Sequence, residues 1–349
     1  MLRIISLFSF LLFGSFLCCA QQINVVDINQ MFRPSLSVSH DFGFPSSYGV
    51  DQFGNSTNAD WQHHRTFISG IVPLTGRLGL DIDFNPKKLL KPKSLLKIRA
   101  YQLFFTFSLE RTHLQTPIVG AVDDYHDFLS VGTGVSMVRY RGKKQAAFYS
   151  ANILIAENQG SFDDASLRFT GIWGNVIMKN LKRQYFYGVV FSYTQGFNIP
   201  IPFGGLAMKL DKKNTLVAIL PVQISFAHKY NRKWKQSVFV GLNAFQTGYS
   251  NNFAVVGGSL PLNQDYDINL TSWHLRLGTK LKYKASKRLQ IMAFGGLNTA
   301  TKINLKTDDQ PTTGKLSAGA STFAGISLYY TFHQSLVRSI LDKLSVEWD

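Results

Sequence analysis

Alternation with a period of two, carried over segments too long for an ordinary strand, constrains this chain more than any other feature. Between positions 273 and 283, Trp273, Leu275, Leu277, Leu281 and Tyr283 fall on one face of an extended chain, with Thr279 among them. His274, Arg276, Gly278, Lys280 and Lys282 fall on the other. Successive side chains of a strand point to opposite faces, so the two sets are segregated. Four cationic or titratable groups on one face cannot sit in a dry core. They require water or partners.

The pattern recurs along the chain. Leu36, Val38, His40, Phe42 and Phe44 oppose Ser35, Ser37, Ser39, Asp41 and Gly43. Leu78, Leu80, Ile82 and Phe84 oppose Arg77, Gly79, Asp81 and Asp83. Tyr101, Leu103, Phe105, Phe107 and Leu109 oppose a polar set ending at Glu110, with Phe104 the exception. Tyr185 to Tyr193 and Ile326 to Phe332 read the same way. Many segments run about 9–14 residues. Ordinary strands average about 5–6, whereas bilayer-crossing strands need about 9–11. Tyr185 and Tyr193, and Trp273 and Tyr283, bracket two of the strands, where interfacial aromatic belts would lie.

Two architectures share this pattern. A secreted β-sandwich covers the apolar faces with a second sheet. A membrane barrel leaves them bare around a closed ring and turns the polar faces to a wet lumen. Composition bears on the choice: only 17% of the 349 residues are charged and 45% are hydrophobic. Soluble domains run nearer 25% charged.

Residues 1–20 carry Arg3, an apolar run from Ile4 to Leu17, and small residues before Gln21. That is a cleaved secretory signal, with a hydrophobic core too short for a comfortable transmembrane helix. Cys18 and Cys19 both lie inside it, so cleavage after Ala20 leaves a chain without disulfides or thiolate metal sites. Short basic turns punctuate the rest, including Arg141 to Lys144, Lys179 to Arg183, Lys212 to Asn214, Asn231 to Lys233 and Ser286 to Arg288. Longer polar connections are expected at 45–61, 115–126, 250–269 and 304–318. Thr215 to His228 reads as one strand with a bulge or bend at Pro221. At roughly 22–28 residues per strand and connection, residues 21–332 make about 12 strands, with 10–14 allowed.

Certain stretches carry a resemblance. Pro202 to Leu206, Lys212 to Thr215 with Ile219-Leu220-Pro221, Ile71 to Leu74 with Leu78-Gly79-Leu80, and Gly325 to Phe332 resemble a domain-of-unknown-function family of outer-membrane β-barrels from Bacteroidota. The resemblance is clearest over 200–332. It implies an outer-membrane barrel and supplies no catalytic residues. The PorP/SprF-type barrels of gliding and type IX secretion are a weaker match, because Gln21-Gln22 is present but no Asn-Pro-Ala segment follows.

The fold expected is therefore all-β: a transmembrane antiparallel barrel over 21–332, ending on a strand suited to the barrel-insertion machinery. Residues 333–349 follow, with Leu336, Ile340, Leu344 and Trp348 at a helical spacing. They read as a short C-terminal amphipathic helix, packed on the rim or docking an envelope partner.

Chemistry is sparse. No phosphate-binding loop, dinucleotide fingerprint, zinc-protease motif or nucleophile elbow occurs. Asp265, Asp267 and Asn269 begin like a calcium loop, but Leu270 and Arg276 stand where Gly and Glu are required. His63 and His64 point to opposite faces of a strand and make a poor chelate. Asp123, Asp124, His126 and Asp127 are the one cluster suggesting a rim hydrolase, with no second constellation to complete it. The expectation is no enzyme, no cofactor and no metal. The net charge of +16 is dispersed in turns, which with a secretory signal points away from nucleic acid and toward anionic lipid and lipopolysaccharide. His274, Arg276, Lys280, Lys282, Asp81, Asp83 and Glu110 are the candidate lumen-facing charges. The cations favour anion passage, and the acids are available to pair with them.

Overall fold

Each alternating segment leaves a row of backbone donors and acceptors along both edges, and these must be paired inside a membrane. The structure, a computed structural model, describes residues 34–52, 55–82, 96–115, 125–142, 145–158, 161–180, 182–194, 197–198, 200–251, 266–307 and 310–332. Among them are β1 (Ser35–Gln52), β2 (Asn55–Ile82), β3 (Leu96–Gln115), β4 (Tyr125–Gly142), β5 (Gln145–Asn158), β6 (Ser161–Asn180), β7 (Arg183–Thr194) and β8 (Phe197–Asn198). Then come β9 (Ile201–Lys209), β10 (Asn214–Leu220), β11 (Gln223–Lys229), β12 (Trp234–Asn251), β13 (Tyr266–Lys284), β14 (Leu289–Thr307), β15 (Gln310–Ala318) and β16 (Ser321–Thr331).

The sixteen strands form fourteen staves. β8 and β9 pair in succession with β7, through Tyr193↔Asn198 and Val190↔Ile201. β15 and β16 likewise share β14, through Thr301↔Ala318 and Asn298↔Ser321. Every stave is antiparallel to its neighbours, and β1 closes on β16 from Ser35↔Thr331 to Gly43↔Phe323. Closure removes both sheet edges. The count of fourteen corrects the expected twelve. One source of the difference is a hairpin. Thr215 to His228 is not one strand but the β10–β11 hairpin, turned at Pro221-Val222 after a cis Leu220-Pro221 bond. The expected loops at 45–61 and 304–318 are mostly strand, with β1 paired to β2 out to Gln52↔Asn55 and β14 to β15 out to Thr307↔Gln310. Because Thr215 to His228 folds back on itself, the basic turns at 210–213 and 230–233 lie at the same end. The turn at 285–288 and both ends of the barrel lie there too, and the Phe332 amide donates to Pro34 O at 2.9 Å. We call this end the lower rim.

The apolar faces are bare. Phe42, Phe44, Phe105, Phe107, Leu109, Phe169, Phe191, Phe226, Leu277, Ile326 and Leu328 are all exposed, and Leu167 and Leu220 reach 57%. Among the described residues no second sheet covers them, which removes the sandwich alternative. On β3 the outward row runs from Tyr101, opposite Arg139, to Arg111. Ten residue steps at about 3.3 Å, tilted about 40°, give a band of roughly 25 Å, the height of a membrane barrel's apolar belt. Trp234 stacks on Tyr283 with ring centroids 4.6 Å apart near the lower rim. The secretory leader expected at 1–20 and the amphipathic helix expected at 333–349 lie outside the described residues.

Inside, glycines set the packing. Phe148, Gly174, Gly188 and Phe203 align across β5, β6, β7 and β9. The two rings lean over the two glycines, with centroids 6.2 Å apart, and a Cβ at Gly174 would run into Phe148. Phe239, Gly278, Gly296 and Phe323 repeat this arrangement across β12, β13, β14 and β16. Their rings are 6.4 Å apart. The barrel is also flattened, since Cα atoms of β12 come within 8 Å of β5 and β6 across the lumen.

Candidate functional site

The lumen has two unlike halves. On the β3–β10 side the inward residues Phe104, Val138, Phe148, Phe203 and Ile219 join Val222 in a buried apolar cluster. Phe104, the exception in the alternation, is thus a lumen residue at 3% exposure. On the other side the inward residues of β1, β2 and β11–β16 are largely polar.

A layer of charges crosses this polar half and reaches β3 and β6. Asp41 on β1 accepts from Arg276 on β13 at 2.6 Å, reaching past β16 and β14. Arg276 Nε also donates to Asn298 Oδ1 at 3.0 Å and to His274 Nε2 at 3.2 Å. Asn243 contacts the same His274 nitrogen at 3.1 Å. Arg65 donates to Glu110 at 2.8 Å, and the Thr112 hydroxyl donates to the other carboxylate oxygen at 3.1 Å. Glu110 is 2% exposed and Arg65 5%. Buried ions are tolerable only when paired and hydrogen-bonded in this way. Arg168, also buried, lies near Glu110. His63 faces inward, its ring 5.9 Å from His274, while its neighbour His64 lies 6.3 Å from His113 on the outer face.

Below this layer lies a cavity of about 200 Å³. Its wall combines Arg276, Lys280 and Lys282 with Phe239, Phe294, Phe323 and Met292. The Arg276 guanidinium lies 4.4 Å from the Phe323 centroid and Lys280 Nζ 4.3 Å from that of Phe239. Such cation–π contacts hold the cations against the aromatic floor.

The structure therefore brings together five of the seven sequence candidates. His274, Arg276, Lys280, Lys282 and Glu110 all face inward, on β13 and β3. Asp81 lies on β2 opposite Lys97, after a register shift between Pro73 and Thr75 that interrupts the alternation. Its side chain, and all of Asp83, lie outside the described residues. Sequence reasoning missed Asp41, Arg65 and Arg168 as site residues. Asp41 stood on the polar face of its strand, which was the available signal. Of the rim cluster, Asp127 is bound by Arg111 at 2.7 Å and His113 at 2.8 Å on the outer face. Asp123, Asp124 and the His126 side chain lie outside the described residues. No group of three or more metal-ligating side chains occurs among the described residues.

No family model matches the chain, and no curated protein does. Several solved barrels align with it. One is the deltaS2 mutant of the TodX monoaromatic hydrocarbon channel, at 9% identity and TM-score 0.44, over 86% of this chain and 91% of that one. A FadL homologue from Pseudomonas aeruginosa aligns at 10% identity and TM-score 0.32, with coverages of 86% and 91%. The β domain of the Bordetella autotransporter BrkA aligns at 8% and 0.33, with 86% and 100%. The architecture stands on this chain's own register and exposure.

Proposed function

We propose that this protein is an outer-membrane β-barrel that passes or binds small solutes through the polar half of its lumen. The observation that carries the reading is the inversion of an ordinary core. A closed ring of fourteen staves exposes its aliphatic and aromatic residues, and buries Asp41, Arg65, Glu110, Arg168 and His274. An apolar exterior facing lipid and a polar interior facing water account for both halves of that inversion. Outer-leaflet lipopolysaccharide and the barrel-insertion machinery are the partners this setting implies, and a secretory leader is its route. Membership of the Bacteroidota barrel family belongs to the same proposal.

The test has two steps. The detergent-extracted protein is run on a gel boiled and unboiled, then inserted into a planar bilayer in potassium chloride. A heat-dependent shift with discrete conductance steps supports the reading. Recovery in the soluble fraction without a shift ends it.

A second reading is that of a docking component of an envelope machine. It is favoured by the placement of Phe332, bonded to Pro34 at the lower rim, so that 333–349 start beside the basic turns. Deletion of 333–349 with loss of a co-purifying envelope protein and unchanged conductance would favour this role.

A further inference from the structure

The cavity wall is divided by chemistry, and the division specifies a ligand. Four cations border it, Arg65, Arg276, Lys280 and Lys282, against one acid, Asp41. Arg276 spends Nη1 on Asp41 and Nε on Asn298 and His274, while its Nη2 has no hydrogen-bond partner among the described residues. That leaves a buried guanidinium donor at the cavity wall, and such a donor matches a carboxylate oxygen. The rest of the wall is apolar and largely aromatic: Phe239 and Phe323, which carry Lys280 and Arg276 on their faces, together with Phe294 and Met292. At about 200 Å³ the space falls below the roughly 300–1,000 Å³ of pockets for drug-sized molecules, so it suits one ring or a short chain.

The approach from the lower rim has the same sign. Lys229, Lys235 and Lys282 stand directly opposite one another on β11, β12 and β13. Like charges in register oppose each other unless an anion lies among them. Neither 212–264 nor 268–307 contains an Asp or Glu. A cationic mouth above low-dielectric walls concentrates anions and speeds their entry.

We infer that the cavity is a binding site for a small organic anion, a single-ring or short-chain carboxylate entering from the lower rim. Its carboxylate meets Lys280, Lys282 and the remaining Arg276 donor. Its apolar body lies against Phe294 and Met292. The inference rests on the solute-handling reading above and names the class of solute.

The experiment uses the full chain folded in detergent, with heat-modifiability confirming each variant's fold. Binding of benzoate is measured by titration calorimetry beside benzyl alcohol, benzylammonium and inorganic phosphate. Potassium chloride conductance is recorded with and without benzoate. Benzoate is expected to bind at least about tenfold more tightly than the other three and to reduce chloride current. The double variant Lys280→Gln/Lys282→Gln is expected to lose about tenfold in benzoate affinity while folding normally, and Phe294→Ser to lose benzoate preference over phosphate. Equal binding of benzyl alcohol, or of phosphate, overturns the inference. Chloride conductance that benzoate leaves unaffected, with no calorimetric binding, removes the solute class and spares the channel. Benzoate binding without conductance supports the site and removes the channel.

Discussion

The two Phe–Gly–Gly–Phe rows offer a comparison within one molecule. Both place two rings over two glycines in four adjacent staves. In the β5–β9 row the rings join the buried apolar cluster on their side of the lumen. In the β12–β16 row the same rings carry Arg276 and Lys280 on their faces and floor a cavity. The difference lies in the neighbouring inward positions. Around the first row stand Phe104, Val138 and Ile219; around the second stand Asp41, Arg276, Lys280 and Lys282. One backbone device thus builds an apolar cluster on one side and a wet site on the other, according to which residues flank it.

Removing charge from the buried layer gives the largest effect expected. Glu110→Ala leaves Arg65 and Arg168 buried without their acid, and breaking such a pair costs about 3–5 kcal/mol. Urea titrations of the lipid-inserted protein, followed by gel shift, should register it; an unchanged midpoint would mean the layer is water-screened. In the apolar half, Phe148→Ala should cost about 3–5 kcal/mol by opening a cavity in the cluster. It should leave the ion preference of the conductance as it was, because the cavity cations Arg276, Lys280 and Lys282 stand on a different stave, β13. A shift in reversal potential would break the separation of the two halves.

A finer probe exchanges the glycines. Gly174→Ala drives a methyl into Phe148, and Gly278→Ala brings one 2.6 Å from Gly295 O and 3.0 Å from the Phe323 ring. Each should cost about 1–3 kcal/mol by overpacking. Only the Gly278 variant should alter conductance, because Phe239 and Phe323 floor the cavity. Gly204→Ala, whose nearest neighbour would be 3.9 Å away, is the matched control and should change stability by less than about 0.5 kcal/mol.

The smallest effect lies outside both halves, in the 210–213 turn. Asp211 accepts from the Asn214 side chain at 2.6 Å and from the Lys213 and Asn214 amides at 2.6 and 2.7 Å. These bonds, the Asn214 side chain foremost, hold its carboxyl below the usual carboxylate range. A depressed folded pKa adds stability above the unfolded value, and that stability fades as pH falls through the folded one. The protection factors of the Lys213 and Asn214 amides, relative to their intrinsic exchange rates at each pH, should therefore fall in acid, and Asp211→Ala should remove this change while leaving protection low throughout.

Alternation made much of this legible. From Trp273 to Tyr283 it assigned His274, Arg276, Lys280 and Lys282 to one face, because side-chain direction in a strand follows from position alone. The bulge between Pro73 and Thr75 shows the limit. One extra residue breaks the parity on which a face assignment for Asp81 depends. At Pro221 the sequence offered a bend, and the chain makes a hairpin. A missing ladder donor marks an interruption without saying whether the strand resumes or reverses.

What the sequence determined by itself was the segregation of apolar and polar faces along strands, because side-chain direction alternates with position. What only the tertiary structure decided was the ring of fourteen staves, the meeting of Asp41 with Arg276 across two intervening staves, and the division of the lumen into apolar cluster and cavity. Those contacts join residues far apart in the chain. Closure, register and the flattening of the ring fix their distances, and local periodicity carries no information about any of the three.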